Sequence, residues 1–164
     1  MRRVPGGKVR ELHSDPRMLA TIPEPAEWYN LIFIWLGSND IRDVTNPSNV
    51  LRPLIQLVES LRPNCETIRV IKIEPRNFSR RGICTRGQEL YDKGRKSINR
   101  RLVRVKGVTL MDFGSKFFKE NIGKDGVHFN TIAKAEIVAR LTRAIWEESR
   151  DYRSLGFIRD PQTE

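Results

Sequence analysis

The sequence predicts an α/β sandwich built on a mostly parallel sheet, and two observations carry that expectation. Residues 31–36 (Leu-Ile-Phe-Ile-Trp-Leu) are six consecutive apolar residues closed by Gly37-Ser38-Asn39-Asp40. The run is too short for a membrane span and too uniform for a strand with one wet face, so it reads as a strand covered on both sides. Such strands belong mostly to parallel sheets flanked by helices. The second observation is that strand patterns alternate with helical ones along the rest of the chain, as right-handed crossovers require. With 164 residues there is enough chain for one core that buries roughly two thirds of the unfolded surface. Residues 1–150 are therefore expected to form a single domain, followed by a loosely held tail over 151–164.

Taken in order, Pro5-Gly6-Gly7 marks a turn, residues 8–13 offer a short helix, and a Pro-containing connector ends near Pro25. The first strand spans 28–36. Asn46 caps and Pro47 opens a helix, since a first-turn proline lacks only an N–H that would be unpaired there. Its apolar stripe is Val50, Leu51, Leu54, Ile55, Leu57, Val58 and Leu61, with Pro53 tolerated and Pro63 and Asn64 as its stop. A second strand covers 67–73 and a basic loop 76–86. Leu90, Gly94, Ile98 and Leu102 recur every four residues and predict a helix with Lys93, Arg95, Lys96, Arg100 and Arg101 on its outer face. Gly94 would let it lie close to the sheet. Residues 108–111 make a third strand, 113–120 an irregular piece, and 124–128 a tight turn. Asn130 or Thr131 caps a last helix with Ala135, Val138, Ala139, Thr142, Ile145 and Trp146 on one face.

Composition narrows the function classes. No long apolar run or secretory leader is visible, so an intracellular, cytoplasmic protein without a membrane span is expected. Cys65 and Cys84 have no metal-ligand spacing and read as reduced thiols. Neither a metal constellation nor a phosphate-cradling glycine loop occurs, and no cofactor is expected. The net charge is +10, and residues 76–106 hold eleven Lys or Arg against Glu89 and Asp92, a local balance of +9. That run, with Arg80, Arg81, Arg95, Lys96, Arg100 and Arg101 as candidates, is suited to nucleic-acid phosphates or another anionic partner. The ordinary alternative is a solvated helix face, because only Phe78 and Tyr91 interleave the cations and single-strand binders supply stacking rings.

Two groups carry chemistry. An Asn at the end of a strand, as in Gly37-Ser38-Asn39-Asp40, can aim its amide at a substrate oxygen in the crevice beyond the strand ends. In Asp125-Gly126-Val127-His128 the carboxylate can fold back onto the imidazole N–H, fix its tautomer and leave the other ring nitrogen as a base. Asp-Gly turns are common, and a His before a helix is often a capping or packing residue.

In these two motifs, in this order and before a final helix, the sequence resembles the SGNH (GDSL-like) hydrolase superfamily. The first looks like that family's Gly-x-Asn-Asp motif and the second its Asp-x-x-His motif. Gly6 or Gly7 is similar to the glycine of another family motif. The resemblance covers residues 5 to about 147. It implies a flavodoxin-like, three-layer α/β/α sandwich and hydrolysis of ester or acyl bonds. His128 would be general base, Asp125 its orienter, and the Asn39 amide with an N–H of Gly6 or Gly7 the oxyanion donors.

The departure lies at the nucleophile. The family's Gly-Asp-Ser motif, on a first strand beside the Gly-x-Asn-Asp strand, occurs nowhere in this sequence. Ser38, inside the Asn39 motif, and Ser14, in Ser14-Asp15-Pro16, are not credible substitutes. The expectation is an N-terminally shortened hydrolase domain, inactive as it stands and poorly soluble because residues 31–36 become an apolar edge. The other reading is a non-catalytic basic relative that binds nucleic acid or another anionic partner; the resemblance is compatible with a retroelement origin, since domains of this superfamily also occur in retroelement-encoded proteins. Oligomeric state and substrate are left open.

Overall fold

Three parallel strands organise the chain: β1 (Tyr29–Ile34), β2 (Cys65–Ile71) and β3 (Thr109–Met111), in spatial order β1-β2-β3. Tyr29 pairs with Cys65 and Ile34 with Val70, while Arg69 pairs with Thr109 and Ile71 with Met111. The structure is a computed structural model and describes residues 8, 11, 14–20, 22, 28–41, 46–78 and 85–154. Around the sheet run α1 (Pro16–Leu19), α2 (Ser48–Leu61), a 3-10 turn (Arg62–Asn64), α3 (Thr85–Leu102), α4 (Ser115–Asn121) and α5 (Thr131–Ser154). The fold is thus mixed α/β, as the alternation of patterns predicts. None of these helices is long and apolar enough to cross a membrane.

Alternate strand residues feed two apolar clusters, because successive side chains of a strand point to opposite faces. Ile34, Ile68 and Val70 join Val50, Leu54, Leu57, Val58 and Leu61 of α2 and Tyr91, Ile98 and Leu102 of α3. Ile71 joins Phe113, Phe118, Ile122 and Ile137, with Phe33, Trp35, Phe129 and Leu141 packed alongside. Each aliphatic side chain so buried contributes roughly 1.5–3 kcal/mol of transfer free energy.

Helix α2 follows its sequence pattern. The Asn46 side chain accepts the Ser48 N–H at 2.9 Å, the Pro47 carbonyl takes the N–H groups of Val50 and Leu51, and the helix continues through Pro53. Other expectations need correction. β1 is at the edge of the described sheet, and Leu31, Ile32 and Phe33 are only half-buried rather than covered on both sides. β2 starts at Cys65, two residues early, and stops at Ile71. Leu90 is 59% exposed, its place on the inner face of α3 taken by Tyr91. Gly94 makes its close approach to Ile41, where a Cβ would come within 2.8 Å of Cγ2, rather than to the sheet.

Residues 113–120 are not irregular: most of them form α4, which a sequence window of seven helical residues is too short to reveal. Tertiary contacts hold it, with Phe118 buried against Phe113 and Phe129. The face assigned to α5 is the wrong one. Ala133, Ile137 and Ala144 are buried, while Val138, Ile145 and Trp146 are exposed. Asn130 is its cap, its side-chain oxygen accepting the Ala133 N–H at 2.8 Å. The helix runs to Ser154, into the stretch read as a tail. Cys65 is a free, buried thiol. Cys84, the Pro5-Gly6-Gly7 turn and residues 155–164 lie outside the described residues.

Candidate active site

Parallel strands finish at the same end of the sheet, and the turn after β1 is shaped by one glycine. Gly37 has φ +103°, and a Cβ there would lie 3.0 Å from Ile73 Cδ1 and 3.2 Å from Val50 Cγ1. Only glycine combines that backbone with that contact at low cost. The Asp40 N–H donates to the Gly37 carbonyl at 3.2 Å and closes the turn. This presents Ser38 and Asn39 to Arg76, whose Nη2 donates to Ser38 Oγ and to Asn39 Oδ1, both at 2.9 Å.

Arg76 is therefore not part of a solvated basic patch. Its side chain is only 9% exposed and lies 3.8 Å from Glu74 Oε1, with the guanidinium carbon 5.6 Å from the centre of the Tyr91 ring. The other Glu74 oxygen accepts the Trp35 Nε1–H at 3.0 Å. The Tyr91 hydroxyl donates to the Glu74 carbonyl, and burial first, then Glu74, pushes that phenol well above its ordinary pKa. A guanidinium only donates, so it fixes which end of the Asn39 amide is oxygen and turns the Nδ2 donors the other way. An oxyanion needs that donor end.

The second motif is a turn closed on itself. Gly123 N–H donates to the His128 carbonyl at 2.6 Å, Gly126 N–H donates to the Gly123 carbonyl, and Gly126 has φ +71°. Asp125 Oδ1 accepts the N–H groups of Val127 at 3.0 Å and His128 at 2.9 Å, while Oδ2 meets His128 Nδ1. The His128 N–H first, then that of Val127 and the ring, hold the Asp125 carboxyl well below the usual carboxylate range. An ionised carboxylate only accepts, so in the neutral ring Nδ1 carries the proton and Nε2 the lone pair. The ring is 70% exposed, within reach of a substrate.

One short segment ties the two turns together. The Asn77 N–H donates to the Gly126 carbonyl at 2.8 Å, one residue beyond the Arg76 that holds Asn39. Gln88 fixes this segment, donating to the Arg76 carbonyl and accepting the Phe78 N–H. Trp35 and Phe129, which flank the two motifs in sequence, touch as a tilted pair, with ring centres 5.7 Å apart and planes inclined by 37°. Asn39, Asp125 and His128 thus belong to turns joined through residues 76–78.

The remaining candidates are scattered. Gly6, Gly7, Arg80 and Arg81 lie outside the described residues. Arg95 does not face outward: its side chain is 14% exposed and its Nε lies 3.4 Å from Asp92 Oδ1. Lys96 and Arg100 border a groove with Lys72 and Asp112, and Arg101 borders a different one with α2. Ser38 Oγ is held by Arg76, and Ser14 Oγ donates to the Glu11 carbonyl on the surface. Sequence reasoning missed Glu74 and Arg76 as the support of Asn39. The available signal was an acid and a guanidinium two residues apart immediately after an apolar strand. No family model matches the chain, and no curated protein matches it in sequence.

Proposed function

We propose that this chain is a hydrolase domain of the SGNH type, with a three-layer α/β/α build, acting on ester or acyl bonds. The observation that supports it is the Asp125 carboxylate bound to His128 Nδ1 in a turn joined to the one that carries Asn39. In this reading His128 Nε2 takes the proton of an attacking hydroxyl, Asp125 holds the ring and steadies the imidazolium, and Asn39 Nδ2 donates to the oxyanion. Helices α2 and α3 would form one outer layer and α4 and α5 the other. The attacking hydroxyl would belong to a serine on a strand beside the edge of β1 that no described strand occupies.

The test is hydrolysis of p-nitrophenyl acetate by this chain and by a form extended upstream with a Gly-Asp-Ser strand, each with a His128→Ala control. Hydrolysis in the extended form only, lost with His128, is the expected result. Hydrolysis that is indifferent to His128, or none in either form, would remove the proposal. Nitrogen NMR of the imidazole gives a readout independent of the nucleophile, with Nδ1 protonated in the parent and no single tautomer fixed in Asp125→Asn.

A further inference from the structure

The described cations of residues 76–106 do not form one surface. Arg76 and Arg95 turn inward, whereas Arg101, Arg104 and Lys106 meet Arg52 of α2 and Arg62 of the 3-10 turn along a groove between α2 and α3 of about 820 Å³. Glu59 is the single acidic residue on its walls. Among the described residues, no carboxylate pairs with any of the five cations. Arg62 is pinned there, its Nη2 donating to the Lys106 carbonyl at 2.6 Å, and Arg101 Nη1 donates to Ser48 Oγ at 3.2 Å.

Five like charges in one groove repel each other, and a polyanion lying between them removes that cost. Four of the five are arginines, whose planar fork matches phosphate oxygens. The apolar part of the lining is aliphatic, with no aromatic ring on which an unpaired base could stack. We propose that the groove between α2 and α3 is a docking site for the phosphate backbone of double-stranded nucleic acid. Neither Asn39, Asp125 nor His128 borders it, so it is a function separate from the hydrolase reading.

The experiment is fluorescence anisotropy of a labelled duplex of arbitrary sequence, titrated with the full chain at several salt concentrations. Five phosphate contacts predict a slope of log K against log salt of about −4.5. The triple variant Arg52→Glu, Arg101→Glu, Arg104→Glu should weaken binding about tenfold or more and flatten the slope by about three. A control triple, Lys119→Glu, Lys134→Glu, Arg143→Glu, makes the same charge change at exposed positions of α4 and α5. It should cost less than about threefold. Thermal unfolding identifies a variant that has lost its fold, in which case Arg→Gln at the same three groove positions replaces it. Equal losses in both triples would overturn the proposal, since affinity would then follow net charge alone. So would an absence of duplex binding at low salt, tighter binding of the single strand, or groove-dependent binding confined to phosphatidylserine vesicles.

Discussion

Arg76 serves three acceptors from a nearly buried position: Ser38 Oγ, Asn39 Oδ1 and, at longer range, Glu74. Replacing it with methionine would leave the Glu74 carboxylate desolvated without its counter-charge, the circumstance in which a broken ion pair is most costly. Arg76→Met should lose about 3–5 kcal/mol in urea unfolding. Arg76→Lys, which keeps the charge but not the planar fork, should lose less. Asp125 makes a different kind of prediction. Its carboxyl is held below the ordinary 3.8 when folded, so the unfolded chain binds the proton more readily and acid favours unfolding. The contribution is complete above about pH 5 and is lost as pH falls from about 4 through the lower folded value. The unfolding midpoint of the parent should therefore fall more steeply between pH 5 and 3 than that of Asp125→Asn, and parallel curves would refute the assignment.

At the level of elements, α5 is the informative case because it carries two apolar stripes. Ala135, Val138, Ala139, Ile145 and Trp146 form the one that periodicity favours, yet the helix turns Ala133, Ile137 and Ala144 inward. Glu148 sets that rotation by accepting from Thr67 Oγ1 and, at 3.0 Å, from Arg69 Nη2 on β2. Ile137→Ala should cost about 2–5 kcal/mol in thermal or urea unfolding. Trp146→Lys, at a position 60% exposed, should stay within about 0.5 kcal/mol. The reverse order would mean that the helix packs by its other stripe.

For the whole molecule, neighbouring residues of β2 belong to different clusters, Val70 to the one with α2 and α3 and Ile71 to the one with α4 and α5. One strand cannot leave either cluster without disturbing the other, so the two should melt together. Leu54→Ala and Phe118→Ala, one in each cluster, should each lower a single transition by about 2–5 kcal/mol, with tryptophan fluorescence and far-UV circular dichroism coincident. Two separated transitions would show that the clusters are independent.

What depends on near neighbours could be read from the residues alone. The order of strands and helices was legible in apolar periodicity, the stripe of α2 in its spacing, and the contact of Asp125 with His128 in a separation of three residues across a Gly-containing turn. Short α4 escaped because its stability comes from Phe118 packing into a distant cluster rather than from its own seven residues. Which stripe of α5 faces inward, and that Arg76 leaves the basic run to hold Asn39, follow from the packed fold. So does the division of the run, which sends Arg101, Arg104 and Lys106 to meet Arg52 and Arg62. Each of these turns on what lies opposite a side chain, and chain folding brings those partners from 37 to more than 70 residues away.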